Sequence, residues 1–216
     1  TIGKGNDQLG LLQIASVKGD LNILQGSGWL ETGATILLSG KNVDVAGVVR
    51  SNKATPATYD YELAIAATQD VKLHGSVGLA GSMKVTAGDD IEVYDMLLSA
   101  QATGHKIVLD ATDSINIGSV GNNVGGVFME VDKSLELVAQ GAITLGADAQ
   151  LFSKANDSSI LIDGASVDIV GSVLAGKDYG AVYTPGQDGY GNDTGTYITG
   201  KNATLTINAT RAVTLG

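Results

Sequence analysis

Residues 84–93 read KVTAGDDIEV, and this decapeptide contains the unit that predicts the fold. Apolar and polar residues alternate before the turn, and Ile91 and Val93 flank Glu92 after it. Alternation with a period of two residues is typical of a β-strand with one buried face. The turn, Gly-Asp-Asp, consists of residues that tolerate positive φ or hydrogen-bond to their own backbone. We therefore predict two short strands that meet at a corner.

The apolar-polar-apolar unit that Ile91 opens occurs eight times along the chain. The first positions of the eight units are all Val, Ile or Leu: Leu21, Val43, Val71, Ile91, Ile115, Leu135, Val167 and Leu205. Their spacings are 22, 28, 20, 24, 20, 32 and 38 residues, so the base unit has 20 to 24 residues and three units carry insertions. This is the spacing of a solenoid, in which equivalent residues of successive coils stack. We predict that the eight first positions form one buried structural column.

A third short strand is predicted after a second corner, as in Gly118-Ser119-Val120. No stretch shows the 3.6-residue period of a helix. Propeller blades need about 40 residues for four strands, and hairpins would be joined by two-residue Asn-Gly or Asp-Gly turns. The fold class that remains is all-β, a right-handed parallel β-helix (β-solenoid) of about eight coils. We expect residues 1–216 to form a single β-helical rod segment.

The composition excludes several classes of partner. The chain has 216 residues, with 23 acidic against 13 basic side chains and a net charge of −10. Nucleic-acid affinity depends on clustered Lys and Arg, so we expect no nucleic acid as partner. No run of apolar residues is long enough to span a bilayer, so we expect no membrane insertion. The sequence contains no cysteine, which removes disulfides, thiolate metal sites and cysteine nucleophiles.

Two segments carry a resemblance to a known family: residues 84–93, and residues 108–120, which read VLDATDSINIGSV. Their order of strand, Gly/Asp/Asn turn, strand and Gly-Ser-Val is similar to the haemagglutinin-type repeats of filamentous haemagglutinin and related large secreted adhesins. The resemblance covers nearly the whole chain. It implies an extracellular or bacterial cell-surface location and a role in cell adhesion. The partners that it implies are a glycan or protein on another cell, or neighbouring copies of the same rod.

The resemblance also bears on which part of such a protein the chain represents. The N-terminal secretion domain of the family carries Asn-Pro motifs, and this sequence has no Asn-Pro pair. We therefore interpret the chain as an internal length of rod, with a structural and adhesive function. The alternative, from another class, is a subunit of an extracellular β-solenoid filament that joins head to tail through unpaired strand edges.

A third interpretation is a β-helix enzyme that acts on polysaccharide. Such enzymes gather acidic residues around calcium and use an Arg or Lys as base. Arg50 and Arg211 are the only two arginines and lie near opposite ends of the repeat array. His74 and His105 fall at or beside corners and form no catalytic pair by spacing. We therefore expect no catalytic residues and no enzyme activity.

Acidic residues at the corners suggest calcium as the one cofactor to consider, since Ca²⁺ prefers hard oxygen ligands. Residues 3–7 and 189–193 share the pattern Gly-x-Gly-Asn-Asp, which resembles one turn of a calcium-binding nonapeptide repeat. Such a repeat needs tandem copies, and each string stands alone. The candidate metal ligands are Asp7, Asp188, Asn192 and Asp193, and the further acidic corners are Asp89 with Asp90, Asp110 with Asp113, and Asp163 with Asp168. The alternative is that these side chains only form turns.

Two projecting insertions interrupt the repeat, near residues 50–62 and 177–196, and they hold both prolines and five of the seven tyrosines. Loops on a rigid scaffold are where binding residues concentrate, and tyrosine offers a flat apolar face with a polar tip. We predict that these tyrosines bind a glycan or a partner protein: Tyr59, Tyr61, Tyr179, Tyr183 and Tyr190. The alternative is that they cover the side of the rod and seal the insertions.

Overall fold

The computed structural model describes residues 11–25, 29–33, 35–51, 61–79, 81–100, 104–119, 125–176 and 202–216. These ranges contain strands and turns and no helix, so they hold no helix that could cross a membrane. Numbered along the chain, the strands are β1 (Leu11–Ala15), β2 (Leu21–Ile23), β3 (Trp29–Thr32), β4 (Thr35–Gly40), β5 (Val43–Val45), β6 (Val48–Ser51), β7 (Leu63–Ala67), β8 (Val71–Leu73), β9 (Ser76–Leu79), β10 (Met83–Ala87), β11 (Ile91–Val93), β12 (Met96–Ala100), β13 (Lys106–Ala111), β14 (Ile115–Ile117), β15 (Val127–Val131), β16 (Ser134–Ala139), β17 (Ala142–Leu145), β18 (Ala149–Ser153), β19 (Ser159–Ile169), β20 (Ser172–Leu174) and β21 (Thr204–Leu215).

Three strands make one coil, and equivalent strands of successive coils form three rows. The first row runs from β1 through β4 and β7 to β19, and the second from β2 through β5 and β8 to β19. Because β19 belongs to both rows, they form one 14-stranded sheet, whereas the third row is a separate 7-stranded sheet from β3 to β20. Neighbouring strands pair in parallel, as β8 does with β5 and β11. The prediction of an all-β parallel solenoid is confirmed.

We call the turn between the first and second rows the first corner, and the turn between the second and third rows the second corner. From β1 to β19 the chain makes six full turns, so seven described coils carry strands of all three rows. β21 adds an eighth layer, which pairs with β19 over the first two rows. The count of coils therefore differs slightly from the expected eight.

The eight residues that were predicted to form one structural column belong to two columns in the structure. One column lies in the second row and consists of residues in direct register: Leu21, Val43, Val71, Ile91, Ile115, Ile143, Val167 and Val213. The assignment of Leu135 and Leu205 to it is wrong, because Leu135 aligns with Ile107 and Ile160 in the first row, and Leu205 aligns with Ile160. Both rows show the same two-residue alternation, so the pattern alone does not distinguish a strand before a corner from one after it.

The core fills the interior between the three rows. Ile91 and Ile115 of the second-row column are fully buried. Full burial of such a side chain stabilises the folded state by about 1.5–3 kcal/mol. Between the inward residues, Glu92 and Asn116 are half-buried on the outer side of the sheet. The alternation in the sequence therefore separates the core from the outer surface in each coil.

The two predicted insertions are only partly within the described residues. Arg50 and Ser51 belong to β6 and pair in register with β3, so the first insertion begins later than residue 50. Its remainder, residues 52–60, lies outside the described residues, and so does the whole of 177–196.

Candidate functional site

A ladder of polar side chains runs along the first corner, immediately before the second-row strands. Nδ2 of Asn42 donates to Oδ1 of Asp20 at 2.9 Å. The backbone N–H of Asp70 donates to Oδ1 of Asn42 at 3.2 Å, and that of Asp90 donates to Oδ1 of Asp70 at 3.3 Å. Ser114 donates to Oδ1 of Asp90 through its N–H at 2.9 Å and its hydroxyl at 2.6 Å. Each of these Asp and Asn side chains thus accepts a hydrogen bond from the next coil, and Asn42, Asp70 and Asp90 each satisfy a backbone N–H at the turn in this way.

Three carboxylates come together at this corner. One oxygen each from Asp89, Asp90 and Asp113 lies within 4.8 Å of the others. The charge of Asp90, followed by partial desolvation and the charges of Asp70 and Asp113, raises the pKa of Asp89 above its usual value. Hard oxygen atoms at this spacing are suited to a divalent cation. Asp90 already accepts the two hydrogen bonds from the ladder, and Asp89 and Asp113 are exposed to solvent.

A second polar cluster, which we call the His74 patch, lies on the outer side of the second row and consists of Asp44, Lys72, His74, Glu92 and Tyr94. Nε2 of His74 lies 2.6 Å from Oδ1 of Asp44 in the preceding coil. On the other side the imidazole stacks on the ring of Tyr94, with 4.9 Å between centroids and 11° between planes. Nζ of Lys72 lies 3.0 Å from Oε2 of Glu92. The patch therefore spans three successive coils.

The register of the coils places these five side chains together. Asp44, Lys72 and Glu92 are the outward middle residues of three second-row strands in direct register. His74 and Tyr94 each follow such a strand, and their N–H groups donate to carbonyls of the preceding coil. The hydrogen bond to Glu92 is the main cause that raises the pKa of Lys72, and burial raises the pKa of Tyr94.

The His74 patch brings several kinds of polar and aromatic group together. It offers carboxylates, an ammonium group, an imidazole and a phenol on one outer face, and all five side chains are half-buried. Such a mixture of fixed donors, acceptors and rings suits a hydroxyl-rich ligand. The sequence pattern placed His74 at or beside a corner without a catalytic partner, and so missed the patch. The signal that could have found it is an aromatic ring directly after the repeat unit in two consecutive coils, at His74 and Tyr94.

The second histidine belongs to a different cluster. Nδ1 of His105 lies 3.2 Å from Oγ of Ser82, and this hydroxyl also accepts the N–H of Lys106 at 3.1 Å. Ser82 is buried. His74 thus contacts an aspartate and His105 a serine. The described histidines therefore do not join serine, histidine and aspartate in one hydrogen-bonded chain.

Among the predicted binding tyrosines, the structure describes Tyr61. Nζ of Lys106 lies 5.4 Å from the centroid of the Tyr61 ring, which is the range of a cation–π contact. The other predicted ligand-binding and metal-binding residues lie outside the described residues: Tyr59, Tyr179, Tyr183, Tyr190, Asp7, Asp188, Asn192 and Asp193.

The last described layer presents an open strand edge. β21 pairs with β19 on one side, and no other described strand pairs with its second edge. Leu205, Val213 and Leu215 are 45%, 48% and 68% exposed, whereas Ile160 and Val167 beneath Leu205 and Val213 are buried. An exposed apolar strand with unpaired backbone groups is a template for a further strand.

The described part of the chain thus has three candidate surfaces for binding: the carboxylates of the first corner, the His74 patch and the edge of β21. They differ in character, since the first is anionic, the second is polar with aromatic rings and the third is apolar. Comparisons of the chain with protein-family models, with curated proteins and with solved structures find no match.

Proposed function

We propose that this chain is a structural and adhesive rod segment of a large secreted or surface-attached bacterial adhesin. The observation that carries the proposal is the continuous parallel stack, in which seven described coils repeat the same three rows. Each coil of such a solenoid contacts its neighbours and adds about 4.8 Å of length. The six turns from β1 to β19 therefore extend over roughly 29 Å.

Interactions between coils support a mechanical role. Val, Ile and Leu fill the second-row column at each level, and parallel backbone hydrogen bonds join each coil to the next. The polar ladder from Asp20 to Ser114 adds side-chain hydrogen bonds along one corner. A stack held by hydrogen bonds and apolar contacts at every level resists bending and local opening.

The His74 patch supports the adhesive part of the proposal. It presents Asp44, Lys72 and Glu92 one rung apart in register, beside the stacked rings of His74 and Tyr94. The target in this proposal is a glycan or protein on another cell, which contacts several rungs at once. The extracellular or cell-surface location belongs to the same proposal.

Electron microscopy and binding assays test the proposal. The purified chain should form short rods in negative stain and should bind in a glycan array or to cultured cells. The double variant Asp44→Ala/Tyr94→Ala should bind about tenfold more weakly or worse, because it removes an acceptor on one side of His74 and a ring on the other. Thr144→Ala changes an outward residue of the same row outside the patch and should bind like the parent.

Two results would contradict the proposal. One is a parent chain that binds neither glycans nor cells, and the other is a particle that cleaves polysaccharide. Equal binding by the double variant and the parent would remove the His74 patch from the proposal and leave the tyrosine-bearing insertions as the contact surface.

The open edge of β21 favours a second candidate, a head-to-tail subunit of an extracellular filament. In a filament, the exposed Val213 and Leu215 would be covered by the first coil of another copy. Sedimentation and electron microscopy should then show fibres that lengthen with concentration. Val213→Lys should abolish them, while Thr214→Lys, which changes the outward residue next to it, should have a smaller effect. A parent chain that stays monomeric at all concentrations contradicts this candidate.

A further inference from the structure

A groove at the second corner, which we call the second-corner groove, lies between the His74 patch and the outer side of the third row. Its volume is about 280 Å³, and Asp95, Phe128, Asp148 and Gln150 are among the residues that line it. Asp95 directly follows Tyr94 of the patch in the sequence. The groove therefore continues the polar surface of the patch around the corner.

The register of three coils creates a gap between two carboxylates. Asp95, Gly126 and Asp148 each directly precede a third-row strand, and these strands, β12, β15 and β18, pair in register from their first residues. The two aspartates are thus two rungs, or about 10 Å, apart along the rod. Gly126 between them is exposed, and the nearest atom to a Cβ at this position would be the carbonyl oxygen of Asp148, 3.6 Å away. The space over Gly126 is therefore open to a ligand.

Asp95 has a backbone conformation that aspartate adopts less readily than glycine. Its φ is +45°, in the left-handed region. The other described non-glycine residues with positive φ are Asp157 and Asn202, and their side chains are joined by a hydrogen bond of 3.1 Å. The exposed carboxylate of Asp95, by contrast, accepts no hydrogen bond within the described ranges. It therefore keeps its full capacity to accept hydrogen bonds from a ligand.

The second carboxylate is fixed by Ser119. The N–H of Ser119 donates to Oδ1 of Asp148 at 2.6 Å, and its hydroxyl donates to Oδ2. These hydrogen bonds lower the pKa of Asp148, and the bond from the hydroxyl is the larger cause. Asp148 is therefore ionised at neutral pH, and each of its oxygens retains a lone pair as a further acceptor.

An aromatic ring and an amide line the groove on the third-row side. Phe128 and Gln150 are in direct register on β15 and β18. The ring of Phe128 is half-buried and packs against Phe152 in the next coil, with 5.4 Å between centroids and 55° between planes. The side chain of Gln150 is exposed. The groove thus combines a ring that is held by its neighbour with an amide that can both donate and accept hydrogen bonds.

We propose that the second-corner groove binds one ring of a neutral oligosaccharide, whose chain continues around the corner onto Tyr94 of the His74 patch. The sugar ring lies over Gly126 with its C–H face on the ring of Phe128. Its hydroxyl groups donate to the carboxylates of Asp95 and Asp148 on either side. This proposal rests on the proposed adhesive function and specifies the class of glycan that the rod takes.

The charges of the groove favour a neutral sugar over other ligands. The described residues that line it include two carboxylates and no basic side chain, so an acidic sugar would be repelled. The two carboxylates lie on alternate rungs, whereas Ca²⁺ takes about six to eight oxygen ligands at about 2.3–2.6 Å, so they do not form a cation site by themselves. A neutral sugar donates hydroxyl groups to such acceptors and offers an apolar face to an aromatic ring.

Gly126→Gln tests the groove directly, because it fills the space over residue 126 without a clash at Cβ. The probes are neutral trisaccharides of glucose, galactose, mannose and N-acetylglucosamine, measured by isothermal titration. The parent should bind at least one of them, and Gly126→Gln should bind it at least about tenfold more weakly. The matched control Gly78→Gln changes a glycine of β9 whose Cβ would lie 3.7 Å from Arg50, and it should bind like the parent. Circular dichroism should show the parent's spectrum for both variants.

Two further variants separate the ring from the carboxylate. Phe128→Leu keeps an apolar side chain against Phe152 but removes the aromatic face, and should weaken binding about fivefold or more. Asp95→Asn keeps a residue that tolerates positive φ and removes the charge, and should weaken binding about threefold, because hydrogen bonds to charged acceptors are the stronger ones. Trigalacturonate, an acidic trisaccharide, should bind the parent much more weakly than the neutral probe.

Several results would overturn the groove and leave the adhesive function standing. One is a parent that binds cultured cells but none of the neutral trisaccharides, and another is equal binding of a trisaccharide by the parent, Gly126→Gln and Phe128→Leu. A third is a parent that binds trigalacturonate or spermidine more tightly than every neutral probe. Conversely, a trisaccharide that binds the parent and not Gly126→Gln, in a chain that also cleaves polysaccharide, would support the groove and contradict the proposed function.

Discussion

The imidazole ring of His74 and the phenol ring of Tyr94 lie face to face, although 20 residues separate them in the sequence. The coil between them returns the chain to the same position one rung further along the rod. Neither ring belongs to the core. The stack shows that the register that aligns Val71 with Ile91 inside the rod also assembles groups of side chains on its surface.

The pair of Lys72 and Glu92 should make the folded state less stable as the pH rises into the alkaline range. The hydrogen bond to Glu92 raises the pKa of Lys72 above 10.5. A raised folded-state pKa contributes stability that is fully present below the unfolded pKa and is lost as the pH rises through the folded pKa. In thermal melts above about pH 10, Lys72→Arg should lose less stability than the parent, because arginine stays charged. The difference should be below about 1 kcal/mol, since the pair is partly exposed.

Tyr94 provides a control for this experiment. Burial raises its pKa, so ionisation of the phenol lowers stability in the same alkaline range. Tyr94→Phe removes that contribution and leaves the pair of Lys72 and Glu92 in place. Identical pH profiles for the parent and Lys72→Arg would show that the pair does not contribute.

Ile115 tests the second-row column. Ile115→Asp should abolish folding, because an unpaired carboxylate in the core costs several kcal/mol against a total stability of about 5–15 kcal/mol. Asn116→Asp introduces the same charge at the neighbouring outward position and should leave the melting temperature within a few degrees of the parent. Circular dichroism spectra and melts measure both effects. A native spectrum for Ile115→Asp would contradict the burial of this column.

Two substitutions of Asp90 distinguish the effect of its hydrogen bonds on stability from the effect of its charge. Asp90→Ala leaves the N–H and hydroxyl of Ser114 without their acceptor and should lower the free energy of unfolding by about 1–3 kcal/mol. Asp90→Asn keeps an oxygen at the same place and removes the repulsion from Asp89, so it should be as stable as the parent or more stable. Urea denaturation gives both values. Equal losses in the two variants would mean that charge, and not the acceptor, matters at this position.

One whole coil should be removable. Val71 aligns with Ile91 in the next coil. Deletion of residues 71–90 therefore joins Asp70 directly to Ile91, and Asp70 takes the position before Ile91 that Asp90 occupies in the parent. The shortened chain should fold to a rod shorter by about 4.8 Å. Deletion of residues 71–89 retains one extra residue, which moves inward side chains to the outer face, and should not give a native β-type spectrum. Small-angle scattering and circular dichroism distinguish the two outcomes.

The repeat spacing and the two-residue alternation were sufficient to predict the parallel solenoid and the alignment of Leu21, Val43, Val71, Ile91 and Ile115. The pattern failed at Leu135, because β16 alternates in the same way as the second-row strands. Which strand of a coil a segment forms depends on where its corners fall, and Gln140-Gly141 after β16 is a weaker turn signal than Gly88-Asp89-Asp90.

The surface clusters were harder to predict than the core, since they combine residues from different coils. Asp113 lies close to Asp110 in the sequence, but it joins Asp89 and Asp90 because its corner stacks on theirs. The pairing of Asp44 with His74 spans an interval of 30 residues that includes the first insertion. Alternation specifies only the face to which each side chain points, and the length of each coil decides which side chains meet.

The spacing between paired strands also bears on how the rod folds. Closing the coil between Val71 and Ile91 involves 20 residues, and closing the one between Val43 and Val71 involves 28. The entropy of loop closure grows only as the logarithm of length, so the longer coil costs about 0.3 kcal/mol more to close. Chain entropy therefore favours no single coil as the starting point. Folding can begin wherever two neighbouring coils first bury their apolar residues, and it then spreads along the rod in both directions.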